Sequence, residues 1–271
     1  MIAALWLAAG RRPRAALLLA HALARLTAPL GFGIALEWLA TVFPGLATDE
    51  LRAARRRTWA GFLKGEALEA GLVQVGSGAY PPVVPGSSQA MALEPPLILV
   101  TFHVGPYQGI GAALRLLPAE VLAIARGQYA TQADITLVSA GEDRWARAGT
   151  FHRALTALRS GRFLLFTVDA YTPGAFDVSS IDVPLLGGTL SLARGAFALA
   201  RLSGAPVVPL VGRWRGTELE MVVGEPIPAA LGEAEMAAAT ARWLERYLRA
   251  NPGEVSVFVL ERLRPGAGPP R

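Results

Sequence analysis

The chain of 271 residues contains no cysteine. Disulfides, thiolate zinc sites and a cysteine nucleophile are thereby excluded, so histidines, carboxylates and hydroxyls must carry any chemistry. Lys64 is the sole lysine, and nearly all other positive charge is arginine. No Gly-x-Ser-x-Gly elbow occurs, which argues against ordinary serine-hydrolase chemistry. Neither a Walker loop nor a Gly-x-Gly-x-x-Gly follows a strand, which argues against nucleotide binding. Long uncharged apolar runs are absent as well: the longest are too short to span a bilayer as a plain helix. Yet 52% of the residues are hydrophobic and the mean hydropathy is +0.38, a combination that suits attachment to a membrane surface better than spanning.

The formal charge is +5, with a pI near 10.2. That balance fits anionic membrane lipids or phosphate-bearing substrates as partners, and no nucleic acid is expected. Arginine in place of lysine is equally what a GC-rich genome produces. No internal linker divides the chain, so residues 1–271 read as a single domain.

The segment 1–45 is hydrophobic almost all round. Its Arg11, Arg12, Pro13, Arg14 cluster precedes an apolar run that meets His21, Arg25 and Pro29 without a cleavage site, which argues against a signal peptide. The preferred reading is a set of amphipathic helices lying in the cytoplasmic leaflet. A buried helical hairpin and a tilted membrane helix burying Arg25, at a cost of about 2.5–3.5 kcal/mol, remain open. A helix is predicted from Thr48 as N-cap, with Asp49 and Glu50 in its first turn and no full capping box. Gly76 to Glu94, rich in Gly, Pro and Ser, reads as an irregular connection.

The centre of the chain is LILVTFHVGPYQG, Leu97 to Gly109. Leu97 to Phe102 has the profile of a strand buried on both faces, and His103 stands at its carboxyl end. Gly105 and Pro106 end the strand and open a helix over Gly109 to Leu117. Ligands of open α/β sheets bind at that edge. Val121 to Ala125 reads as a second strand ending at Arg126. Tyr129 to Gly161 is patterned as helix and contains His152, which is given no role. RFLLFTVDAYTPG supplies a strand finishing at Asp169, so His103, Arg126 and Asp169 are expected along one edge. Ile181 to Gly188 reads as a turn and strand, with Thr189 capping a helix that runs to Gly204 at C′. Two further strands lie in APVVPLVGRW and GTELEMVVGEP. A helix over Ala230 to Ala250, the packing segment EVSVFVLERL and a disordered tail at 264–271 complete the chain. The fold class is α/β, with a largely parallel central sheet sandwiched by helices and an N-terminal membrane-associated helical region.

From about Leu36 to Leu263 the chain resembles the bacterial lipid A biosynthesis acyltransferases, the late lauroyl- or myristoyl-transferase group. The similarity rests on ILVTFHVGPYQG, AIARGQY, GRFLLFTVDA, IDVPLLGG, ARLSGAPVVPLVGR and LRANPGEVSVFVLERL in that order. It implies an acyltransferase at the cytoplasmic face of the inner membrane, moving an acyl chain from an acyl carrier protein or coenzyme A thioester to a hydroxyl of a lipid A precursor or other glycolipid. No metal or further cofactor is implied. In that family a Glu or Asp follows the histidine after four residues, and here Gln108 stands in that place. The resemblance therefore makes His103 and Gln108 the catalytic candidates, with His103 as general base and Gln108 fixing its tautomer without supplying charge. Arg126 is expected to contact an anionic part of a substrate. Asp169 is expected to orient a partner or to substitute for the missing carboxylate. A catalytically impaired or inactive relative that binds lipid or acyl donor is the alternative.

Overall fold

The computed structural model describes residues 12–27, 34–75, 81–84, 92–115, 117–125, 136–139, 144–169 and 180–265. Arg126 lies outside them, as do 1–11 and 28–33 of the N-terminal segment and 266–271 of the tail.

A central sheet is built from β1 (Leu97–Thr101), β2 (Val121–Ala125), β3 (Thr136–Ser139), β4 (Phe163–Thr167), β7 (Val207–Arg215) and β8 (Glu218–Val223), in the order β3-β2-β4-β1-β7-β8. The five strands from β3 to β7 pair in parallel, and β8 closes the edge antiparallel to β7. All of β1 is buried. Its side chains alternate between two cores, Ile98, Val100 and Phe102 on one face and Leu97 and Leu99 on the other. A strand covered on both sides needs apolar residues at every position, hence the unbroken LILV. Helices α5 (Arg144–Arg159), α6 (Gly195–Ser203) and α7 (Glu233–Ala250) contribute to the first core, and α4 (Ile110–Leu114) to the second. The strand β3 falls inside the stretch read from sequence as helical; four residues are too few for periodicity to declare them.

Thr189 is not a helix cap. It lies in β6 (Gly188–Ala193), which pairs antiparallel with β5 (Ser180–Leu185). The loop between them is Leu186 and Gly187, at φ 50° and 78°, the two positive values that let a two-residue turn match the strand twist. The helix therefore starts later, at Gly195, and ends at Gly204, which takes φ 77° as expected of a left-handed cap. The tail also differs from the sequence reading: Arg264–Pro265 form a short strand, β9, against β6.

Helices α1 (Pro13–Thr27), α2 (Leu36–Val42) and α3 (Thr48–Val75) precede the sheet. The first turn of α3 begins one residue earlier than the sequence indicates, since Ala47 N–H donates to the Glu50 carboxylate at 2.8 Å while Leu51 N–H donates to Ala47 O. Half a capping box thus forms with Ala47 at the N-cap. Small residues let α1 lie close on α3, with Ala20 and Ala24 meeting Ala60, Leu63 and Ala67. Trp59 Nε1 donates to Thr27 Oγ1 at 2.8 Å. The outer face of α1 leaves Leu18, Leu19 and Leu26 exposed beside Arg14 and Arg25, and Trp38 is exposed on α2. Among the described residues no helix is long and apolar enough to cross a membrane.

Candidate functional site

Parallel pairing of β1 with β4 runs Leu97↔Phe163 through Thr101↔Thr167. Val168 N–H donates to Thr101 O at 3.0 Å and carries the ladder one step further. Two residues past each strand's end the same register sets His103 opposite Asp169, and the chemistry follows from that alignment. His103 backbone N–H donates to Asp169 Oδ2 at 2.9 Å, and the ring's Nδ1 lies 2.9 Å from Oδ1. Asp169 is 0% exposed, whereas the His103 side chain retains 18%. A fully buried carboxylate is costly unless donors meet it; here a main-chain N–H and a ring N–H occupy one oxygen each. An ionised carboxylate only accepts, so a neutral imidazole here carries its proton on Nδ1 and its lone pair on Nε2.

The loop after His103 is built around Gly105. Its φ is +55°, its N–H donates to Glu254 O at 3.1 Å, and a Cβ there would strike the Gly212 carbonyl and approach Glu254 Oε2 to 2.8 Å. Gly212 belongs to β7, which pairs with β1 on the side opposite β4. Glycine is the residue that satisfies both the backbone angle and the contact. The loop is thus clamped between β7 and the 3₁₀ turn Pro252–Glu254.

The segment beyond that turn completes the site. Ser256 caps helix α8 (Val257–Arg262) by accepting from Val259 N–H at 3.3 Å, and its hydroxyl donates to His103 O. Phe258, from α8, sets its ring 5.2 Å from the imidazole, and Tyr107 meets the imidazole edge-on at 4.6 Å. Ser256, Phe258, Tyr107 and Glu254 were not singled out from sequence as site residues. Ser256 lies 153 residues from His103, and its only local signal is that of a helix cap.

Gln108 is placed elsewhere. Its amide rests on α3 at Gly65, where a Cβ would come within 2.9 Å of Oε1, and Oε1 is buried without a hydrogen-bond partner among the described residues. The group on the imidazole is the carboxylate of Asp169. His152 is exposed on α5.

Behind the loop lies a polar cluster. Lys64 is buried, donates to Gly216 O at 3.0 Å and stands 4.7 Å over the Trp214 ring. Burial lowers its pKa to about 8 despite the Glu254 charge. Burial raises Glu254 to about 7 against the pull of Lys64, Arg213 and Arg57. Arg213 and Arg215 share Glu220 at 2.6 Å and 2.9 Å. Burial alone would raise that carboxyl, but the two guanidinium groups hold it below the usual range.

No family model and no curated protein matches the sequence. A solved structure with a related chain path is the 1-acyl-sn-glycerophosphate acyltransferase PlsC of Thermotoga maritima. It is 13% identical, with 90% of this chain and 100% of that one covered at a TM-score of 0.45. That likeness is one of coarse chain path and assigns this chain neither a family nor a substrate.

Proposed function

We propose that this protein is an acyltransferase that moves a fatty acyl group from an acyl carrier protein or coenzyme A thioester to a hydroxyl of a lipid A precursor or another glycolipid. The observation that carries the reading is the imidazole held by a buried carboxylate at the carboxyl edge of a parallel sheet. His103 Nε2 removes the hydroxyl proton as the oxygen attacks the thioester carbonyl, and Asp169 stabilises the imidazolium that forms. The tetrahedral intermediate collapses with cleavage of the C–S bond, and the thiolate leaves with the proton from Nε2. Positioned base catalysis of this kind contributes about 10²–10⁴ in rate.

In this reading Asp169 takes the part that the family resemblance gives to position 108, and Arg126 contacts an anionic portion of a substrate. The exposed Leu18, Leu19, Leu26 and Trp38, rimmed by Arg14 and Arg25, support attachment to the cytoplasmic face of the inner membrane. The test is single-turnover transfer from radiolabelled acyl carrier protein and coenzyme A donors to a glycolipid acceptor. Wild type is expected to transfer, and His103→Ala to lose about a hundredfold or more. Transfer that persists in His103→Ala sinks the assignment. No transfer by wild type from either donor, with lipid binding intact, favours the binding-only alternative.

A further inference from the structure

The helix α8 presents a second feature beside the imidazole. Phe258 and Arg262 are four apart and so share one face. The Arg262 guanidinium stands over the Phe258 ring, its carbon 5.4 Å from the centroid, and Nη1 donates to Phe258 O at 3.3 Å. Phe258 is 39% exposed and faces the imidazole at 5.2 Å, so the guanidinium lies no farther from the His103 ring than those two separations combined. Arg213 and Arg215 share Glu220, and Arg194 and Arg201 share Glu233. Arg262 has no carboxylate within salt-bridge distance among the described residues. A guanidinium stacked on an aromatic face is oriented in advance, and the single bond to Phe258 O leaves further N–H donors for a planar or tetrahedral oxyanion.

We infer that Arg262, held on Phe258, is a phosphate subsite for a substrate whose reacting group lies at His103. The inference rests on the acyl-transfer reading and extends it from reaction to recognition. The ligand chemistry is a phosphate ester, which either the coenzyme A donor or a phosphorylated lipid acceptor supplies. Phe258 serves two ends: its ring walls the imidazole and it fixes the direction of the guanidinium.

Binding is measured by calorimetry on the full chain in detergent, independently of turnover, with coenzyme A, dihexanoyl phosphatidic acid and dihexanoylglycerol as probes. Wild type is expected to bind at least one phosphate-bearing probe, and Arg262→Gln to bind it about ten- to a hundredfold more weakly. Arg262→Lys keeps the charge and loses the fork, and is expected in between. Dihexanoylglycerol binding should be the same in all three proteins. Weakening confined to coenzyme A places the phosphate on the donor; weakening confined to phosphatidic acid places it on the acceptor. Either result supports the subsite. Failure of wild type to bind both phosphate probes, or binding by Arg262→Gln within about twofold of wild type, overturns it. His103→Ala is the cross-check: it should abolish transfer and leave Arg262-dependent binding intact, so loss of the reaction and loss of the subsite are read separately. In transfer assays Arg262→Gln should raise KM for the phosphate-bearing substrate and change kcat by less than about threefold.

Discussion

Replacing Asp169 by asparagine alters one heavy atom and, on this geometry, reverses the tautomer of the imidazole. Asp169 Oδ2 accepts from the His103 backbone N–H at 2.9 Å, and that group can only donate. In Asp169→Asn the amide oxygen must therefore stay there, and the NH₂ must take the place of Oδ1, 2.9 Å from Nδ1. Nδ1 then has to accept, the proton moves to Nε2, and the base is lost. Flipping the amide restores the tautomer but turns NH₂ toward a buried N–H. Leaving that donor unpaired costs about 1–3 kcal/mol, about a 5- to 150-fold loss in the competent form. The charge that steadied the imidazolium is gone in either orientation. The same acid-to-amide change in the serine-protease triad lowers turnover about 10⁴-fold, and a loss of about 10³–10⁴ in kcat is expected here by the same reasoning. Folding should suffer little, about 1–2 kcal/mol, because the shape and both hydrogen bonds survive and only the charge is lost. Asp169→Ala should cost more than the amide in stability, because it strips both donors of a partner at a position that is itself fully buried. Single-turnover transfer together with urea melts on both variants separates rate from fold. A folded Asp169→Asn protein that keeps more than about a tenth of the wild-type rate would refute the tautomer argument.

Gln108→Glu should not raise turnover, since the side chain lies at Gly65 on α3; a gain in rate of about tenfold or more would show that position 108 reaches the imidazole during the reaction. Gly105→Ala should abolish transfer and lower stability by more than the roughly 1–2 kcal/mol of a left-handed non-glycine residue, because the added carbon also meets the Gly212 carbonyl; a urea midpoint unchanged from wild type would contradict the clamp. Glu254 holds its proton up to about pH 7 in the fold, against an ordinary value of 4.5. Its raised pKa therefore favours the fold below about 4.5 and loses that contribution as pH climbs to about 7. Glu254→Gln should flatten that part of the stability profile, and parallel profiles for the two proteins would count against it. Removal of residues 1–43 should release the protein from membranes, and recovery of the truncated chain in the membrane pellet at high salt would argue otherwise.

Strand β1, its histidine at the carboxyl end, β2, β4 with Asp169 just beyond, and the left-handed Gly204 were all legible in the sequence. Each is announced locally, by an apolar run of strand length or by a residue type suited to one backbone conformation. The hairpin β5–β6 was misread because Leu186 is a poor advertisement for a positive φ, and β3 because four residues carry too little pattern. The sequence supplied the candidates for the site without the distances between them. The family resemblance pointed to Gln108, a near neighbour along the chain, as the partner of His103. Strand register instead brings Asp169, 66 residues away, onto the imidazole. Register is a property of two strands chosen together by their packing, and no single segment encodes it. Ser256 and Phe258 reach the site for a similar reason: α8 docks on the sheet edge through Val259 and Leu260 in the core. Only the assembled tertiary structure places that helix beside His103.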